Sequence, residues 1–63
     1  MKVYIDRDGK YAEAKGKTIG CLLKYLKINP QTVIITKNEK LAIEETKVKA
    51  DDKIIIYHFV SGG

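Results

Sequence analysis

Apolar and polar residues alternate along Met1-Lys2-Val3-Tyr4-Ile5-Asp6, which is the period-two pattern of a half-buried strand. Val3 and Ile5 share one face, and Lys2, Tyr4 and Asp6 the other. Asp8-Gly9 follows as a hairpin signal, because both residues tolerate positive φ. The returning strand is expected over Tyr11 to Lys15, although Ala and Lys are poor strand formers. The pattern then changes period. Ile19, Leu22, Leu23 and Leu26 stand at i, i+3, i+4 and i+7, an apolar stripe along one side of a helix. Thr18 supplies an N-cap oxygen for a first-turn N–H. Asn29 is expected to take the left-handed cap, and Pro30 forbids continuation, so the helix is predicted over residues 18–28.

Thr32 to Lys37 is a β-branched run, predicted to be a strand at the sheet centre or covered on both faces. Asn38-Glu39-Lys40 reads as a turn and Leu41 to Ile43 as a short strand. Glu44 to Asp52 is polar and loop-like, with Val48 as an inward anchor. Ile54 to Val60 is the most β-prone segment, after which Ser61-Gly62-Gly63 leaves the sheet. One helix packed across one mixed sheet of four to five strands is an α+β roll. The helix stripe forms one side of the core, and Val3, Ile5, Ile54 and Ile56 the other. Residues 1–60 make a single domain, and 61–63 a flexible tail.

Size restricts this domain. At 63 residues, a chain buries only about 60% of the surface it exposes when unfolded, so the core is thin. Cys21 is the single cysteine and His58 the single histidine, too few for a structural zinc site within the chain. An unpaired thiol fits a reducing compartment, and the expected location is the cytoplasm. No apolar run resembles a signal peptide or approaches the roughly 18 residues needed to cross a bilayer. Net charge is +4, and eleven of the twelve cations are lysines scattered from Lys2 to Lys53 among acids. A nucleic-acid surface clusters its cations and interleaves aromatics, so neither nucleic acid nor membrane is expected as a partner.

Catalytic machinery is nearly absent. Gly16 and Gly20 lack the spacing of a phosphate loop. Cys21 and His58 could pair as nucleophile and base. However, a helical cysteine more often serves as a small buried residue, and His58 reads as a packing or edge side chain. The pairs Glu44-Glu45 and Asp51-Asp52 read as surface charge in a solvated loop. What remains is the chain end. Two glycines carry no Cβ, so Gly62-Gly63 can thread a narrow channel and present a carboxylate to another protein's active site. Adenylation by ATP would convert that carboxylate into an acyl donor for a sulfur or amine nucleophile, with every catalytic group on the partner.

The segment Asp52-Lys53-Ile54-Ile55-Ile56-Tyr57-His58-Phe59-Val60-Ser61-Gly62-Gly63 resembles the ending of the ThiS/MoaD sulfur-carrier family, small ubiquitin-like β-grasp proteins. The likeness extends over the whole chain. The helix after the first hairpin, and Val33 to Leu41 before the loop, stand where that family has its helix and middle hairpin. One departure is Ala50-Asp51-Asp52, where the family usually has Gly-Asp before its last strand; a different turn is expected there. The resemblance implies that Gly63 is adenylated by a ubiquitin-activating-type enzyme and converted to a thiocarboxylate that delivers sulfur, with Gly62 and Ser61 as its slim tail. The carrier itself would be no enzyme and bind no cofactor, ATP being used by the activating partner. A sulfur donor and a downstream sulfur-accepting synthase complete the implied partners. The short length favours the thiamine-type carrier over the molybdopterin-type, with tRNA thiolation as a related use.

Alternation also predicts a docking surface. If Ile54 and Ile56 face the helix, then Ile55, Tyr57 and Phe59 line the outer face of the sheet, leading to Val60 and the tail. Large apolar side chains in a row on an open face suggest a protein interface, either for the activating enzyme or for self-association. Two other functions begin from the same residues. A protein modifier would end in an isopeptide bond from Gly63 to a target lysine. A binding module would use the β-grasp sheet alone, with an irrelevant tail.

Overall fold

The computed structural model describes residues 1–59, ordered as five strands, one helix and one 3-10 turn. Strands β1 (Lys2–Ile5) and β2 (Lys10–Glu13) form the first hairpin, and helix α1 (Ile19–Leu26) follows. The 3-10 turn Pro30–Thr32 leads into β3 (Val33–Lys37), β4 (Lys40–Ala42) and finally β5 (Ile54–His58). The sheet order is β2-β1-β5-β3-β4. β5 is therefore the central strand, parallel to β1 (Val3 opposite Ile54, Ile5 opposite Ile56) and antiparallel to β3 (Ile35 opposite Ile56).

The core keeps most of the expected residues and adds Ala14, Val33 and Ile35. Ile19, Leu22 and Leu23 from the helix meet Val3, Val33, Ile35, Ile54 and Ile56 from the sheet, all buried, with Ala14. Leu26, Ile5 and Val48 are half-buried around it. Thr18 caps α1 by accepting the Cys21 N–H at 3.3 Å. The loop from Ile43 to Lys53 straps across this end of the helix. The N–H groups of Ile19 and Gly20 donate to the carbonyls of Thr46 and Glu44, each at 2.9 Å, and the Val48 N–H donates to Lys17. Donors that a helix normally leaves unpaired are thus taken up by the strap. Gly16 permits the tight passage into α1, since a Cβ there would lie 2.5 Å from the Cys21 Cβ.

Several boundaries differ from expectation. The helix ends earlier, because Asn29 precedes Pro30 and is driven into extended backbone (φ −72°, ψ 118°). Lys27 takes the left-handed position instead (φ 60°, ψ 41°), and the Ile28 N–H closes on the Leu23 carbonyl at 2.9 Å. Asn29 caps the 3-10 turn, its side chain accepting from the Gln31 N–H. In the first hairpin the turn spans Asp6 to Gly9 rather than two residues. Only Gly9 there takes positive φ (62°), because the Asp8 and Gly9 N–H groups both fold back onto the Ile5 carbonyl. β2 and β4 each begin one residue before their predicted starts and are shorter at the far end than the patterns suggest.

β3 lies inside the sheet, but it is covered on one face only. Val33 and Ile35 are buried while Ile34 is 45% exposed. A run of consecutive β-branched residues cannot distinguish a two-sided strand from a one-sided strand whose other face carries exposed apolar side chains. Cys21 is likewise exposed rather than buried.

Candidate functional site

Gly63, Gly62, Ser61 and Val60 lie outside the described residues, so the site is built from the surface that leads to them. β5 sends Ile54 and Ile56 into the core and turns Ile55, Tyr57 and Phe59 outward, as alternation requires. Ile55 is half-buried, Tyr57 is 38% exposed and Phe59 is 56% exposed. Pairing continues past the strand end, with the Phe59 N–H donating to the Thr32 carbonyl at 3.2 Å. The last described residue is thus held against the end of the 3-10 turn that leads into β3.

That face is wider than one strand. Ile34 on β3 stands directly opposite Tyr57, giving an aliphatic–aromatic cross-strand pair. One row crosses the whole sheet: Tyr11 opposite Tyr4, Tyr4 opposite Ile55, Ile55 opposite Thr36, and Thr36 opposite Leu41. The Tyr4 and Tyr11 rings meet edge-on with centroids 5.1 Å apart. Leu41 is 79% exposed at the β4 edge. Sequence reasoning found the β5 members and missed Ile34, Leu41 and the tyrosine pair. Alternation in β1 had already placed Tyr4 on the outer face, but the register that joins it to Ile55 depends on contacts between distant segments.

The turn entering β5 is fixed by Asp52, which is therefore more than surface charge. Its carboxylate accepts from the Lys49 N–H at 2.7 Å and from the Asn38 side-chain amide at 3.0 Å, with the Lys37 ammonium 3.8 Å away. Asn38 reciprocates on the backbone, accepting the Lys53 N–H through its side-chain oxygen and donating its own N–H to the Lys53 carbonyl. These bonds hold the Asp52 carboxyl below the usual carboxylate range: the Asn38 amide contributes most, then the Lys49 N–H, then the Lys37 charge. At Ala50-Asp51-Asp52 the chain thus makes a turn that ties the β3–β4 hairpin to the start of β5.

The alternatives to a docking face have little support. Hydrogen bonding from the Thr18 hydroxyl, then from the backbone of Lys17 and Thr18, lowers the Cys21 thiol from its ordinary value. Yet no hydrogen bond links Cys21 to His58 among the described residues, and His58 sits half-buried on the helix side of β5. Among the described residues no three His, Cys, Asp or Glu side chains are grouped to hold a metal ion. The first-turn amides of α1 are occupied by Thr18, Glu44 and Thr46, which leaves no cradle for a phosphate. No helix among the described residues is long and apolar enough to cross a membrane.

One helix gripped by a five-stranded mixed sheet with parallel central strands, and an open apolar face on the opposite side, defines a ubiquitin-like β-grasp protein. The ThiS family profile matches residues 3–63, and the chain belongs to that family. Its members are small sulfur carriers rather than enzymes, and a sulfur-carrier role in that general sense is the role of this chain. No curated protein matches it.

Proposed function

We propose that the Gly63 carboxylate is the working group. A carboxylate oxygen attacks the α-phosphorus of ATP in the active site of a ubiquitin-activating-type enzyme, pyrophosphate leaves, and an acyl-adenylate results. Hydrosulfide supplied by a sulfur donor then attacks the acyl carbon and expels AMP, so that a C–S bond replaces the C–O bond that AMP had activated, and the thioacid gives up its proton. The resulting thiocarboxylate hands its sulfur to a downstream synthase. The thiamine-type pathway is the recipient we favour. The observation that carries this reading is the family match, which runs through the Gly62-Gly63 end rather than stopping at the folded body. The apolar face of Ile34, Ile55, Tyr57 and Phe59, beside the corner where the chain leaves β5, supports it as the grip of the activating enzyme.

Intact mass measured after incubation with ATP, the cognate activating enzyme and a sulfur donor tests the proposal. The expected gain equals one oxygen replaced by sulfur, and it disappears when Gly63 is deleted. A chain that remains unmodified while a competent control carrier reacts in parallel would sink the reading. Tyr57→Lys places a charge in the apolar face without touching the core. It should fold normally and slow adenylation, and unchanged activation kinetics would remove the face from the mechanism.

A further inference from the structure

The outer face has a second feature, at the opposite end of β5 from the tail. A shallow cleft of about 330 Å³ opens there, lined chiefly by Lys2, Tyr4, Tyr11, Asp52, Lys53 and Ile55. Its floor is apolar, made by Ile55 and the edge-on tyrosine pair. Its rim is cationic. Lys2 and Lys53 are both exposed, and neither makes an ion pair among the described residues. The acid in the lining does not neutralise them, because the Asp52 carboxylate is already engaged by Asn38, Lys49 and Lys37 and is only 11% exposed.

Register explains why both lysines line this one cleft. β1 and β5 are parallel with Val3 opposite Ile54, so the preceding residues, Lys2 and Lys53, emerge side by side on the same face. Like charges on neighbouring strands repel. A single carboxylate set between them would relieve that repulsion while an apolar neighbour covered the tyrosines. The row Tyr11–Tyr4–Ile55 is continuous with Tyr57 and Phe59, so one partner resting on the face would reach both ends. The separation from Ile55 to Phe59 along the strand is about 13 Å, well within one protein interface.

We propose that this cleft is a second docking point for the adenylating enzyme, and that it receives an acidic side chain lying beside an apolar one on that enzyme's surface. It rests on the carrier reading above. One anchor near the tail would leave the body free to swivel. A charged anchor at the far end of β5 fixes its orientation, and so aims the carboxylate. Charge at the rim also steers encounter, which makes the contact dependent on salt.

The test is direct binding of the cognate adenylating enzyme to the full chain without ATP, by calorimetry at low and moderate salt, with adenylation measured alongside. Lys2→Gln/Lys53→Gln removes both charges from side chains that bear no structural bond, and it should melt no lower than the unaltered protein. Lys24→Gln/Lys27→Gln removes the same charge from the helix, on the other side of the sheet. The cleft variant is expected to bind about tenfold more weakly at low salt and to lose most of its salt dependence, with the helix variant within about twofold of the original. Equal weakening in both variants would assign the effect to net charge and overturn the cleft. Adenylation of the unaltered chain with unchanged binding of the cleft variant would overturn the cleft and leave the carrier reading standing. An enzyme that neither binds nor adenylates the unaltered chain, while active on its control carrier, would overturn both.

Discussion

Glu39 carries the backbone through φ 71° directly after Asn38 at φ 52°, a pair of left-handed residues in the two-residue turn between β3 and β4. Asn tolerates that region because its short amide bonds locally, and here it reaches Asp52 and the Lys53 N–H. Glu39 has no such compensation and makes no side-chain hydrogen bond among the described residues. Glu39→Gly should therefore raise stability by about 1 kcal/mol, read from urea unfolding at a constant m-value. A decrease would mean that the entropy gained by the unfolded chain outweighs the relieved strain. The sequence made Asn38-Glu39-Lys40 legible as a turn. It did not reveal Lys27, a residue with no intrinsic preference for left-handed backbone. Lys27 is placed there because the proline three residues later fixes where helical backbone must end.

At the scale of elements, the hub at Asp52 couples the β3–β4 hairpin to the entry of β5. Its folded carboxyl is held below the ordinary range, so the stabilisation it supplies is fully present above the unfolded value. It is lost as pH falls through the lowered folded value. Asp52→Asn should consequently lower stability at neutral pH and flatten the acid limb of the stability profile, with the two proteins converging at the acid end. Denaturant unfolding across that pH range reads both effects, and parallel profiles would show that Asp52 titrates as it does in the unfolded chain. Strand and helix identity in this chain was legible because hydrophobic period and caps are local. Thr18, the stripe of Ile19, Leu22, Leu23 and Leu26, and the alternation of β5 all appear as read. Asp52 escaped that reading because two of its partners, Asn38 and Lys37, are distant in sequence.

The molecule as a whole rests on a small core. A domain of 63 residues has a total stability of only about 3–9 kcal/mol. Leu22, fully buried between helix and sheet, contributes a large share of this, since Leu→Ala in a core costs about 2–5 kcal/mol. Leu22→Ala should leave a substantial unfolded fraction at 37 °C, visible as lost near-ultraviolet dichroism and fast proteolysis. A sharp transition with a melting temperature close to that of the original would show that the core closes around the gap.

By itself the sequence determined which segments are strands and helix, much of the core, and the class of fold. Each of those is encoded by short-range pattern or by residue chemistry. Only the tertiary structure decided that β5 is the central strand, that Ile34 and Leu41 join Ile55, Tyr57 and Phe59 on one face, and that Lys2 and Lys53 line one cleft with two tyrosines. Those juxtapositions depend on strand order and register, which are set by packing the helix against the sheet and not by any one segment.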